Sequence, residues 1–100
     1  MNDRVSLRLS SVRREIAATR AALDRARQRL AERRTALEES QLRMLIAETP
    51  VADLDLRLAV EEHRRLEREV DRLARIQDDL RAEQRRLSDR LDRATPSPKG

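Results

Sequence analysis

Residues 44–60 read MLIAETPVADLDLRLAV, and this stretch decides the fold because Pro50 is the only Pro or Gly before residue 95. Proline has no backbone N–H to donate, and it disfavours the α conformation in the residue before it, here Thr49. We therefore expect one helix to end before Pro50 and the chain to reverse direction in a tip loop of about residues 48–53.

On the N-terminal side of this tip, apolar side chains recur every seven positions over about residues 4–47. The strong set of seam positions is Leu9, Ile16, Leu23, Leu30, Leu37 and Met44. The weak set, four residues before each of these, is Val5, Val12, Thr19, Ala26, Arg33 and Ser40. Sustained seven-residue spacing predicts a coiled-coil helix, capped by Asn2 or Asp3.

A second helix is predicted over about residues 54–93, capped by Asp53 or by Thr49 ahead of Pro50. One of its seam sets holds Leu66, Leu73, Leu80 and Leu87, and the other holds Leu56, His63, Val70, Gln77, Gln84 and Leu91. Met44 and Leu56 hold equivalent positions but are twelve residues apart. Continuous coiled coils accommodate insertions of three or four, so this step indicates a break.

Antiparallel pairing of the two helices aligns the strong sets when the numbers of facing residues add to 103. That register places Leu37 opposite Leu66 and Arg33 opposite Val70, and its centre falls within the predicted loop. We predict an all-α fold, a long antiparallel two-helix coiled-coil hairpin that makes residues 1–94 a single domain. Residues 95–100, TPSPKG, are expected to be a disordered tail.

A two-helix seam buries each Leu only partly, and several of its layers here are polar or small. We therefore expect two hairpins to self-associate as a homodimer, in a four-helix assembly. Ala22, Ala36 and Ile76 flank the seam and are predicted to form the contact.

Composition restricts the function classes. The chain has 42% charged residues, no aromatic residue and no Cys, so disulfides and thiolate chemistry are excluded. All but one of the 23 basic residues are Arg, which favours a GC-rich bacterial genome. No apolar run approaches the roughly 20 residues that cross a bilayer, so we expect a cytoplasmic protein without a membrane span.

Catalysis is not expected, because the sequence has no Gly-rich phosphate loop, no nucleophile elbow and no pairing of His with Cys. A thin hairpin also offers no concave pocket for a small-molecule substrate or a cofactor. His63 is the only His, and a metal site needs several convergent ligands. A hydrogen bond from His63 to Ser40 across the seam is expected instead.

The tip carries more apolar residues than a two-stranded seam can bury, which suggests a docking surface for an unidentified protein partner. The alternative is that these residues close the end of the bundle in a homodimer. The candidate partner-binding residues are Leu45, Ile46, Glu48, Val51, Asp53, Leu54, Asp55 and Leu58.

Glu48, Asp53 and Asp55 also make the tip acidic. An acidic tip on a long antiparallel hairpin resembles the Gre-factor and DksA class of RNA polymerase regulators. In that class the tip carboxylates reach toward the catalytic metal, so the resemblance implies a polymerase-associated regulator. It covers only the hairpin shape and the acid-bearing turn, because the globular domain or zinc-binding portion of those families has no counterpart here.

Helix 1 also carries a repeating basic stripe: Arg13, Arg20, Arg27 and Arg34 recur every seven residues. Residues 1–34 hold ten Arg against four acidic residues. This stripe is a candidate site for phosphate backbones, although the chain has no aromatic residue to stack on bases. The alternative is a solvated flank whose Arg stems cover the Leu seam.

The sequence thus predicts a non-enzymatic interaction module, a scaffold, adaptor or small chaperone that presents its tip to a protein partner. A basic protein that associates with nucleic acid through the Arg stripe is the alternative, followed by the polymerase regulator.

Overall fold

A computed structural model describes residues 3–94, which form two α-helices of 45 residues each. Helix α1 spans Asp3–Ala47 and helix α2 spans Pro50–Ala94. No strand occurs over these 3–94 positions. The predicted all-α class and the antiparallel two-helix hairpin are confirmed. The possible cap Asn2 and the predicted tail over residues 95–100 lie outside the described residues.

Only Glu48 and Thr49 connect the two helices. Helix α2 begins at Pro50, four residues earlier than the sequence predicted. The Thr49 hydroxyl accepts a hydrogen bond from the backbone N–H of Ala52 at 3.1 Å. Thr49 is therefore the N-cap, and Pro50 occupies the first helical position. Proline is favoured there because the backbone N–H that it lacks would have no acceptor within the helix.

Helix α1 ends in a left-handed residue. Glu48 has a φ of 45°, and its N–H donates to the carbonyl of Met44 at 3.0 Å. This bond satisfies one of the carbonyls that a helix end leaves without a partner. Gly usually occupies the position, because a residue with a Cβ pays about 1–2 kcal/mol for the left-handed conformation. The end of α1 is thus locally strained.

The contacts between the helices group into two units. The first contains residues 3–22 of α1 and residues 73–94 of α2. Its core is a cluster of Leu9, Val12 and Leu87, all at most 7% exposed. The half-buried side chains packed against this cluster are Val5, Ile16, Leu80 and Leu91.

A bidentate salt bridge joins α1 to α2 in this first unit. The Arg8 guanidinium donates from Nε and Nη2 to the two carboxylate oxygens of Glu83, at 2.7 and 2.8 Å. Hydrogen bonding from Arg8 lowers the pKa of Glu83, and the bond to Glu83 raises the pKa of Arg8. Glu15, two turns farther along α1, also lies 3.3 Å from Arg8.

The second unit spans Leu23–Arg72 and includes the connection between the helices. The residues of this unit with the least exposed surface are Leu23, Ala26, Ser40, Ala52 and Leu66. Arg33 Nε lies 3.3 Å from a carboxylate oxygen of Glu62. The register that placed Arg33 opposite Val70, about two helical turns farther along, is therefore wrong. Because α2 begins at Pro50, the midpoint of the reversal moves to Glu48 and Thr49.

Candidate functional site at the hairpin tip

Six large apolar side chains at the tip are each more than half exposed. We call them the tip patch: Leu42, Leu45, Ile46, Val51, Leu54 and Leu58. Leu45 and Ile46 reach 76% and 77% exposure, the highest of the large apolar side chains in residues 3–94. Contiguous apolar patches on soluble monomers rarely exceed about 300–600 Å², and larger ones mark interaction surfaces.

The helix period explains why these side chains face outward. Met44 and Leu56 occupy seam positions and are half-buried, while Ala52 is buried. Successive helical residues are about 100° apart around the axis, so the neighbours of a seam residue project away from it. Val60, at the end of the stretch, is also half-buried. The tip patch is therefore a surplus that the hairpin itself does not cover.

The three acidic residues at the tip differ in their partners. The Asp53 carboxylate lies 3.0 Å from Arg57 Nη2, one turn along α2, and sits in the first turn, where the helix dipole favours negative charge. Glu48 and Asp55 are exposed and form no ion pair within residues 3–94. Asp53 thus has a partner within α2, and the resemblance to polymerase regulators, which rests on all three acidic residues, stays a prediction.

A cleft of about 290 Å³ opens where α1 ends and α2 begins. Its largely apolar surface comes from Ile46, Ala47, Thr49, Val51 and Ala52. Arg43 and Asp55 add one charge of each sign to the lining. The Arg43 guanidinium is positioned by a hydrogen bond from Nη2 to the buried hydroxyl of Ser40, at 2.9 Å.

The sequence predicted three of the residues in this cleft and missed four. Ile46, Val51 and Asp55 were candidates, whereas Arg43, Ala47, Thr49 and Ala52 were not. The Thr-Pro pair was the available signal. With Thr49 read as the cap, Ala52 and Asp55 fall on consecutive turns of α2, three residues apart and so on one face.

His63 and Ser40 do not form the predicted hydrogen bond. The Nδ1 atom of His63 lies 3.2 Å from Glu67, one turn along the same helix. Its Nε2 atom is buried and has no hydrogen-bond partner among the described residues. Ser40 instead accepts from Arg43. The expectation failed because the shifted register removes the pairing on which it rested.

The four residues of the Arg stripe all lie on α1, with Arg13 and Arg20 in the first unit and Arg27 and Arg34 in the second. Each is exposed, and none forms an ion pair with another residue in the 3–94 range. Their guanidinium groups remain available to an external anion.

Two further features bear on function. No group of three or more His, Cys, Asp or Glu side chains with the arrangement of a metal site occurs in the described part of the chain. Neither helix contains a segment long and apolar enough to cross a bilayer, again for the described positions.

The fold and tip define a two-helix hairpin with an exposed apolar end. No protein-family model matches this chain, and comparisons with curated proteins and with solved structures give no match either.

Proposed function

We propose that this protein is a non-enzymatic, cytoplasmic interaction module, a scaffold, adaptor or small chaperone that docks a protein partner on its tip patch. Arg usage favours a bacterial cell as its setting. The observation that supports the proposal is the exposure of six large apolar side chains within residues 42–58. Exposed apolar surface of this extent is costly in water, and it is typical of surfaces that become covered.

A comparison of charged substitutions tests the proposal. The double variant Leu45→Glu plus Leu54→Glu places two charges in the tip patch. Leu7→Glu is the matched control, because Leu7 is 70% exposed and lies far from the tip along α1. We expect the tip variant to lose the partner recovered by the wild type in a crosslinking pull-down, while the control retains it.

Circular dichroism at 222 nm accompanies this experiment, because the substituted side chains are exposed and helicity is expected to be unchanged. Loss of helicity in the tip variant, or equal partner recovery by both variants, would show that the tip patch is structural.

We also propose that two hairpins form a homodimer through Ala22, Ala36 and Ile76. Ala22 and Ala36 are half-buried, and Ile76 is 36% exposed, so each still offers apolar surface. Sedimentation equilibrium is expected to give twice the chain mass of 11.7 kDa at micromolar concentration. Ile76→Glu is expected to shift the mass to that of a monomer. A folded wild-type monomer at this concentration rules the homodimer out.

Nucleic-acid binding through the Arg stripe is a second candidate function, supported by four exposed guanidinium groups without ion pairs in residues 3–94. The variant Arg20→Glu plus Arg27→Glu removes half of the stripe. Its matched control is Arg64→Glu plus Arg68→Glu on α2, which changes the net charge equally and also alters exposed Arg residues.

A salt titration with DNA and RNA gives the readout. If the stripe binds phosphates, the affinity falls steeply with salt, and the α1 variant loses more affinity than the α2 control. No binding in about 50–150 mM salt, or equal loss in both variants, removes this candidate.

A further inference from the structure

The tip patch has a sequence periodicity that continues the seam of the hairpin. On α2, Val51 and Leu58 follow Met44 in steps of seven residues, and Leu54 follows Ser40 after two such steps. These three side chains therefore keep the seven-residue spacing of the α1 seam, which we call the α1 spacing. A helix that ran on through the turn would carry this seam as far as Leu58.

The seam of α2 has the same property in the opposite direction along the chain. Counted back from Leu66 in steps of seven, its spacing reaches Leu45, and counted back from Leu56 it reaches Leu42. We call this the α2 spacing. Two tip-patch residues on α1 thus belong to the seam pattern of α2.

The two spacings overlap only at the tip. The next position of the α2 spacing is Glu38, and the next position of the α1 spacing is Glu61. In the hairpin each helix places only its own spacing at the seam, so side chains of the other spacing, such as Leu45 and Val51, are exposed. Five of the six tip-patch residues fit this pattern, and Ile46 is the exception.

The turn between the helices is short and strained. It consists of Glu48 and Thr49, and Glu48 has a φ of 45°. Strained short connections favour the exchange of identical elements between two copies of a chain, because opening relieves the strain and the other contacts form again between the copies.

We propose that the hairpin opens at Glu48 and Thr49, and that two open copies pair antiparallel, with α1 of each copy packed on α2 of the other. In this exchanged dimer the cluster of Leu9, Val12 and Leu87 forms between chains instead of within one. The inference goes beyond the proposed docking function and does not depend on it. The exchanged dimer also differs from the homodimer proposed above, in which both hairpins stay closed.

Antiparallel pairing about the turn also covers the tip patch. Leu42 and Leu54 lie at nearly equal distances along the chain from the turn, as do Leu45 and Val51. In the middle of the exchanged dimer, the α1 spacing of one chain therefore lies against the α2 spacing of the other. The new contact is continuous with the seam of the hairpin, and Pro50 supplies a kink at the crossing.

Access to the tip patch then depends on chain concentration. The closed hairpin exposes the patch, whereas the exchanged dimer covers it with a second copy. Because dimers form by mass action, a higher concentration of the chain favours the covered state.

Crosslinking between two single-cysteine variants tests the inference. Arg33 Nε lies 3.3 Å from a Glu62 carboxylate oxygen across the two helices, and the chain has no Cys of its own. One variant is Arg33→Cys and the other is Glu62→Cys, and both carry Ile76→Glu to prevent pairing of closed hairpins. The two are mixed in urea, refolded together and treated with a short bismaleimide.

Closed hairpins keep the two cysteines on separate molecules, so the exchanged dimer is what brings them together. We expect a covalent adduct of the two variants whose yield rises with chain concentration. Arg33→Cys mixed only with itself should give no adduct, because antiparallel pairing places its two cysteines far apart. A single chain with both cysteines should crosslink internally at low concentration, which controls for the reach of the reagent.

Substitutions at the turn should shift the yield in opposite directions. Pro50→Ala should raise it about tenfold or more, because an open chain then forms a straight helix. Glu48→Gly should lower it about fivefold or more, because Gly relieves the strain of the closed turn. Glu39→Gly, the same change within α1, should leave it nearly unchanged, since this helix is present in both states.

Substitutions in the tip patch test whether the second copy covers it. Val51→Glu plus Leu54→Glu, placed in both chains, should lower the yield about tenfold or more, because charges then enter the contact. Leu7→Glu is the control and should have no effect, since Leu7 is exposed and belongs to neither spacing.

Absence of the mixed adduct with the native turn, while the chain with both cysteines crosslinks internally, overturns the inference. A mixed adduct that the turn and tip substitutions leave unchanged overturns it as well. Neither result affects the docking function, which is judged by partner recovery with Leu45→Glu plus Leu54→Glu. Equal partner recovery by that variant and by Leu7→Glu removes the docking function and leaves the exchanged dimer standing.

Discussion

The cluster around Leu9 and Leu87 and the tip patch use the same kinds of apolar residue on the same two helices, with opposite outcomes. Leu9 is 5% exposed, whereas Leu45 is 76% exposed. The difference lies in position relative to the seam, because a helix has only one face turned toward its neighbour. The comparison teaches that hydrophobicity alone does not show where this hairpin is stabilised.

The comparison leads to a first and largest prediction, on the stability of the two regions. Leu87→Ala removes buried methyl groups from the cluster and should cost about 2–3 kcal/mol in the free energy of unfolding. Leu45→Ala deletes the same atoms from a side chain that is exposed to solvent, and should lower the free energy of unfolding by less than about 0.5 kcal/mol. Urea unfolding followed at 222 nm measures both. Equal costs would break the comparison and indicate that the tip patch is covered in solution.

The connection between the two helices supplies the next effect. Thr49→Ala removes the hydroxyl that accepts from the Ala52 N–H, and should cost about 1 kcal/mol. Thr35→Ala is the matched control, since Thr35 lies within α1 and only bonds back to the Ala31 carbonyl at 3.4 Å. Ala has the higher helix propensity, so the control should be neutral or slightly stabilising. A cost in the control equal to that of Thr49→Ala would contradict the capping role.

Glu48→Gly should act in the opposite direction and sharpen the contrast between a strained tip and an unstrained helix. Gly adopts a positive φ without a steric penalty, so we expect a gain of about 0.5–1 kcal/mol in the free energy of unfolding. The same change within α1, Glu39→Gly, should cost about 1 kcal/mol. Destabilisation by Glu48→Gly would mean that its left-handed backbone carries no strain.

The smallest expected effect is the dependence of folding stability on acidic pH, through the salt bridge between Arg8 and Glu83. Arg8 lowers the pKa of Glu83, so the bridge stabilises the folded state above the ordinary Glu value of about 4.3. This contribution is lost as the pH falls through the lowered folded-state pKa. NMR titration of the Glu83 carboxyl carbon should give a midpoint below the ordinary value in the wild type. In Arg8→Met the midpoint should rise toward that value, and an unchanged midpoint would refute the assignment of the shift to Arg8.

Much of the seam was predictable. Leu9, Leu23, Leu66, Leu73 and Leu87 are buried, as the heptad spacing indicated. The weak positions Val12, Ala26 and Ser40 are buried as well, at 0%, 3% and 4% exposure. Small side chains at a helix–helix contact are easily covered, so seam position matters more than side-chain size.

The register and the local partners were not predictable to the same degree. Of the two caps that the sequence offered for the second helix, Asp53 and Thr49, the structure has Thr49. Helix α2 therefore begins at Pro50, within the predicted loop, and this moved the facing residues. The expected Ser40–His63 bond depended on that register and failed with it. Among the candidate site residues, the exposure of Leu45 and Leu54 agrees with the surplus counted in the sequence, whereas the cleft needed coordinates.

By itself, the sequence determined two helices, one reversal at the only internal proline, and the apolar face of each helix. These properties follow from local geometry, namely the period of a helix and the missing N–H of proline. Only the tertiary structure decided which residues of α1 meet which residues of α2, and that the end of α1 and the start of α2 line an open cleft. Those features depend on a few residues at the turn, because the position of the reversal sets every facing pair.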